Sequence, residues 1–249
     1  MASSGLVAAC LVLVFSIASA QAPPVGVAAS NAPAPTPPVT TYITPGVVFK
    51  ASPLPNWPQG IDAAEADLQA VLAAQTLRTP ADVQEAQLDA ARGPVAWAQD
   101  AAGLGPTFTG QRYPATTTLL LALHEDMRAV NRAANLERGY RARPAAVDTR
   151  VKSIFAENLN NSASYPSARA ASSRAWALLL GDVFTQRGAA LLAHANRSAE
   201  LRLLGGAHFP SDIDAGQQVG AAYYAQVLKN PSFQRALAIA RQESKAVTP

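Results

Sequence analysis

The sequence has little of what staples or metallates a fold. It contains one cysteine, Cys10, and three histidines in 249 residues. An internal disulfide is therefore excluded, and the His–Cys spacings of zinc sites are absent. Carboxylates alone remain able to hold a hard cation, but nothing in the pattern requires a metal or any other cofactor. Charged residues make up only 15% and aromatics 6%. The basic residues are mostly arginines scattered from Arg112 to Arg241 without a dense run. The formal charge of +3 therefore gives little support to a nucleic-acid partner. No long apolar run is present either. The longest, Leu6 to Ala18, falls short of the ~20 residues that a membrane span needs.

What is present is a 49% hydrophobic chain, enough to bury a core in one domain or a closely fused pair. Residues 1–20 carry no charge and end in Ala18-Ser19-Ala20, the small-x-small form of a signal-peptidase site. They read as a cleaved export signal, with a periplasmic or secreted product that has no membrane attachment after cleavage. Residues 21–60 hold much of the proline, as in Ala32-Pro33-Ala34-Pro35-Thr36-Pro37-Pro38, and read as an extended tether. Structure is expected from Ile61, with one helical domain over 61–249.

The Ala, Leu, Gln and Glu content between Ile61 and Arg92 favours helix over strand. Proline in Thr79-Pro80, Tyr113-Pro114, Tyr165-Pro166 and Asn230-Pro231 stands where a first helical turn tolerates it. The patterning predicts helices over 61–76, 80–92, 115–142, 148–157, 167–184, 187–204, 210–228 and 231–243. In the fifth of these Ala171, Ala175, Leu178, Leu179 and Val183 share one apolar face. An all-α protein is expected.

Three segments place basic or nucleophilic residues beside helix ends: Arg141-Ala142-Arg143-Pro144, Ser164 to Arg169, and Arg202 to Asp212. Helix N-termini offer unpaired N–H groups and a positive dipole end, so side chains converging there suit an anion such as phosphate. Arg143-Pro144, Pro166-Ser167 and the six- and four-residue spacings from Arg202 to His208 to Asp212 together resemble the superfamily of bacterial class A acid phosphatases, type 2 phosphatidic acid phosphatases and vanadium haloperoxidases. Its three motif blocks run K-x6-R-P, P-S-G-H and S-R-x5-H-x3-D. Ser164-Tyr165-Pro166-Ser167, the stretch from Gly206 through Gly216, and Asn230-Pro231-Ser232-Phe233-Gln234 resemble the class A acid phosphatases in particular.

The resemblance implies the helical bundle of that superfamily and a metal-independent phosphomonoesterase. His208 would attack phosphorus to give a phosphohistidine, and Asp212 would orient its imidazole. Arg143 and Arg202 would clamp the phosphoryl oxygens, with Ser167, Ala168 and Arg169 completing the substrate cradle. The chain departs from the pattern in three places. Leu136 stands where the family has its lysine, with Arg132 one turn further back. Ala168 replaces a glycine. Arg169 replaces the histidine that protonates the leaving oxygen, and a guanidinium cannot donate a proton at ordinary pH. His124 and His194 match no motif block and are expected in packing or surface roles.

Two functions follow, beside a merely structural or interaction protein. One is an acid phosphatase acting on phosphomonoesters. The other is a catalytically impaired relative that binds inorganic phosphate or a phosphorylated ligand. Substrate identity and oligomeric state are not encoded in these patterns. Asn160 and Asn196 stand in glycosylation-type sequons that bacterial-type export would leave unused.

Overall fold

Proline decides where much of this chain turns into helix. Its fixed φ and missing N–H suit the first helical position, where the N–H has no intrahelical acceptor. The computed structural model describes residues 41–100, 102–155 and 162–246, all within one unit, Pro38–Pro249. Its helices are α1 (Pro45–Ala51), α2 (Ile61–Leu77), α3 (Pro80–Ala91), α4 (Pro94–Ala98), α5 (Pro114–Arg138), α6 (Pro144–Val147), α7 (Ala168–Val183), α8 (Gly188–Leu204), α9 (Pro210–Val227) and α10 (Pro231–Ala246), with a 3-10 turn at Thr185–Arg187 before α8. All but α2, α7 and α8 begin on proline. The described residues contain no strand, and the protein is all-α.

Helix α7 is the centre, packing against α5, α8, α9 and α10. Ala171, Ala175, Leu179 and Val183 are buried along it, as the periodicity predicts, and Leu178 is partly buried. Around them Trp176, Leu120, Leu123, Met127, Tyr223 and Phe233 form the main core. Each such side chain removed from water contributes about 1.5–3 kcal/mol. Helix α9 approaches α7 closely. A Cβ on Gly216 would collide with the Ser167 carbonyl oxygen, and one on Gly220 with that of Ala171. Glycine at these two positions lets the backbones pack side by side.

Four expectations change. Order begins well before Ile61: α1 lies within the expected tether, and Val48 is 0% exposed in the core. Buried Asp126 accepts a hydrogen bond from the Tyr42 N–H at 3.0 Å, and Asn230 Nδ2 donates to the Tyr42 carbonyl at 2.7 Å. Any extended tether therefore ends before Tyr42. Its earlier part and the expected export signal lie outside the described residues.

Helix α5 stops at Arg138, because Gly139 takes φ of 77°. The chain stays out of helix until Pro144, and Arg143, the residue before that proline, is extended because the ring disfavours its helical region. Residues 148–155 are not helical. There the Asp148 carboxylate accepts the Arg150 N–H, while Gln75 of α2 and Arg78 just after it hydrogen-bond the backbone of Arg150 and Lys152. Side chains thus take over the backbone pairing that a helix would have supplied. Finally, Pro166 stands outside α7, whose N-cap is Ser167; the Ser167 hydroxyl accepts the Ala170 N–H at 3.5 Å.

Candidate active site

The site is assembled at the start of α9. Asp212 occupies its first turn, and one carboxylate oxygen accepts the Phe209 N–H at 2.9 Å, fixing the backbone just behind His208. Gly206, with φ of 69°, turns the chain out of α8 so that His208 faces inward. His208 is 3% exposed. Its Nδ1 lies 2.8 Å from the Ser164 carbonyl oxygen. A carbonyl only accepts, so Nδ1 carries the proton and Nε2 presents a lone pair. That lone pair faces Arg143 Nη1 at 3.1 Å. Burial pushes the His208 imidazole down to about 4, with the Arg143 and Arg202 charges assisting and Asp212 opposing.

Asp212 orients the ring less directly than the motif implies. Its carboxylate is 3.7 Å from Nδ1, within ion-pair range but beyond a hydrogen bond. It accepts instead from the Ser164 hydroxyl at 2.5 Å and from Arg141 Nη1 at 2.5 Å. Burial works to raise the Asp212 carboxyl, but its hydrogen bonds and the neighbouring positive charge hold it below the usual carboxylate value. Ser164 thus touches both partners, giving its carbonyl to His208 and its hydroxyl to Asp212. Arg141 also reaches Asp67 of α2 at 2.7 Å and the Ser211 hydroxyl at 2.8 Å. Ser164, Arg141 and Asp67 were not singled out by sequence reasoning as site residues. For Asp67, the available signal was a carboxylate within the apolar stripe of α2 that contains buried Leu68 and Val71.

Arg143 is buried and bonds to neutral groups: the Ala207 carbonyl at 2.9 Å, the Ser162 carbonyl and hydroxyl, and the Ala163 carbonyl. Burial lowers its guanidinium below the ordinary arginine value. Arg202, in the last turn of α8, is 5% exposed. The Phe155 ring lies against its guanidinium, 3.9 Å from ring centroid to Cζ, and its buried Nε has no hydrogen-bond partner among the described residues. Burial and then the Arg169 charge push the Arg202 guanidinium down to about 9. Ser167 is buried, and its N–H bonds the Asp212 carbonyl at 2.9 Å, joining the start of α7 to α9.

Arg169 is engaged elsewhere. Its Nη2 donates to the carbonyls of Ala90 at 3.0 Å and Arg92 at 3.1 Å, capping the C-terminal end of α3, and its Nε lies 3.6 Å from Asp89. None of its hydrogen bonds or ion pairs reaches His208. Ala168 opens α7 beside it. Leu136 is 80% exposed on α5, and the extended turn after Arg138 removes the two-turn relation to Arg143 that a continuous helix would have given. His194 stacks on Trp97 and is a packing residue. Among the described residues no group of three or more His, Cys, Asp or Glu side chains is placed to hold a metal ion.

Fold and site together define an all-helical protein with a buried histidine set among arginines. The chain is similar to the non-specific acid phosphatase of Salmonella typhi, 38% identical over 85 residues, 34% of each chain. It is 36% identical over 85 residues to that of Salmonella typhimurium, again 34% of each. It is 31% identical over 87 residues to that of Providencia stuartii, 35% of each. The aligned segment thus spans about a third of the length of these curated relatives. No family model matches. These similarities support an acid phosphatase family.

Proposed function

We propose that this chain is an exported, metal-independent acid phosphatase of the class A type, with the helical bundle of the phosphatidic acid phosphatase and haloperoxidase superfamily. The observation that carries the reading is the lone pair of a neutral imidazole placed against the buried Arg143 guanidinium, which, like that of Arg202, has no carboxylate in salt-bridge contact among the described residues. Buried positive charge without an ionic partner is costly. A phosphoryl dianion relieves that cost at Arg143 and Arg202.

His208 Nε2 attacks phosphorus and the bond to the ester oxygen breaks. The imidazole becomes a cationic phosphohistidine, still donating through Nδ1 to Ser164 and facing the Asp212 carboxylate. Arg169 cannot protonate the departing oxygen, so that proton comes from solvent. Water then attacks phosphorus, releasing inorganic phosphate and restoring neutral His208. With its imidazole pushed down to about 4, His208 keeps its lone pair in mildly acid solution.

A second reading, phosphate binding with little turnover, draws support from Arg169, which supplies no acid and is held by the Ala90 and Arg92 carbonyls. Phosphate release from p-nitrophenyl phosphate and an alkyl phosphomonoester between about pH 4 and 8, beside His208→Ala, separates the two. Aryl turnover that His208→Ala abolishes, survival of that turnover in chelator and an acid-labile phosphoprotein at quench support the enzyme. Equal inactivity of both proteins, with vanadate still bound, supports the binding protein.

A further inference from the structure

A cleft of about 410 Å3 opens between α5 and α7, outside the residues that surround His208. Its walls carry four arginines: Arg92, Arg128, Arg132 and Arg169. Arg92 pairs with Asp100, Arg128 with Glu125 at 3.4 Å, and Arg169 lies 3.6 Å from Asp89. Arg132 makes no ion pair among the described residues and is exposed. Guanidinium charge therefore exceeds carboxylate charge along this wall, and Arg128 and Arg132 stand one turn apart on α5, the spacing that lets two side chains serve one ligand.

The deeper surface is unlike a solvated basic face. Trp176 is 2% exposed and its indole N–H has no partner among the described residues; Asn131 is 7% exposed and its side-chain oxygen has none among them. His124 Nδ1, Asn135 Oδ1 and Arg169 Nη1 are likewise buried without a partner among the described residues, and all five residues line this same cleft. Buried polar atoms are almost always paired, and each orphan carries a desolvation penalty. Orphans gathered along one cleft point to a ligand that pairs with them. A bare oxyanion accepts only and leaves the Asn oxygens unpaired. An apolar aryl group pairs with none. Hydroxyl groups both donate and accept, so they serve indole, imidazole and either orientation of the amides.

We propose that the cleft binds an anionic polyol, a hydroxylated ring or chain bearing phosphate groups. Its phosphates meet Arg128 and Arg132 at the mouth, and its hydroxyls meet Trp176, Asn131, Asn135 and His124 within. This site does not depend on turnover at His208.

Titration calorimetry on the full chain with myo-inositol hexakisphosphate, inorganic phosphate and myo-inositol tests it. The hexakisphosphate is expected to bind at least ~10-fold tighter than inorganic phosphate, with the Arg128→Gln/Arg132→Gln pair losing at least ~10-fold. Trp176→Phe removes one donor and is expected to lose ~5-fold. A charge-matched pair on another surface, Lys229→Gln/Arg235→Gln, and His208→Ala should each stay within about twofold, their folds checked by circular dichroism. Unchanged binding in the Arg128/Arg132 pair overturns the proposal. An equal loss in the Lys229/Arg235 pair overturns it in favour of general charge attraction, and a loss in His208→Ala places the ligand at the catalytic histidine instead. Failure of turnover alone bears on the phosphatase reading and leaves this one standing.

Discussion

Arg197 and Arg202 lie on the same helix, five residues apart, and their surroundings are opposite. Arg197 is met by Asp82 at 2.6 Å, Glu85 at 2.6 Å and Glu200 at 2.9 Å, which raise its guanidinium above the ordinary value. Two of those carboxylates come from α3, so Arg197 ties α3 to α8. Arg202 is buried against Phe155 with no carboxylate in salt-bridge contact among the described residues, and its guanidinium is pushed down to about 9. A structural arginine arrives with its counter-ions. One that lacks them in a buried site marks a place where charge is kept for something else, at a cost in stability.

Replacement of each arginine by methionine tests the contrast. Arg202→Met is expected to lower kcat/KM on p-nitrophenyl phosphate roughly 100- to 1,000-fold, as removal of one oxyanion donor does. The same change is expected to stabilise the fold by about 1–3 kcal/mol in urea denaturation, because a buried unpaired charge is removed. An Arg202→Met protein that is both active and less stable would break the comparison.

Acidification sharpens it at His208. The imidazole is pushed down in the folded chain, so the unfolded chain binds the extra proton between its ordinary value of 6.5 and about 4. Stability is therefore full above about pH 6.5 and falls as the pH drops through that window, by a few kcal/mol. In His208→Gln the loss between those values should be smaller by that amount, measured as urea midpoints against pH.

Gly216→Ala addresses packing without touching charge. The added methyl meets the Ser167 carbonyl, and the fold is expected to lose about 1–3 kcal/mol, less any gain in helix propensity. Arg197→Met should have the smallest effect. Its network is partly exposed, so a stability loss of about 1 kcal/mol and activity within about twofold are expected. Together the four variants separate what holds the helices from what the site demands.

Much of the fold was legible because its signals are local. Proline at Pro80, Pro114, Pro210 and Pro231 marks helix starts, and Ala171 to Val183 repeats with helical period. The expected helix over 148–157 was misleading because its backbone pairs with Gln75 and Arg78, about 75 residues earlier. Residues 41–60 looked like linker because proline enrichment hides Val48 and Leu54, which are buried against helices much later in the chain. His208, Asp212 and Arg143 were singled out through the motif resemblance, and their side chains lie close together. Ser164 escaped because its carbonyl, a group every residue owns, meets the histidine. Arg169 was read for what its side chain can do, whereas its direction is set by the carbonyls at the end of α3.

The bridge from Asp67 through Arg141 to Asp212 has a consequence for how the protein comes into being. Asp67 and Asp212 stand far apart in the chain, so the hydrogen bonds that brace the Asp212 carboxylate close only when α2 and α9 meet. Closing so long a loop belongs late in assembly. A chain still emerging, or one cut between α2 and α9 and separated, carries the histidine without its brace. On the proposed function, activity is thereby tied to completion of the whole helical unit.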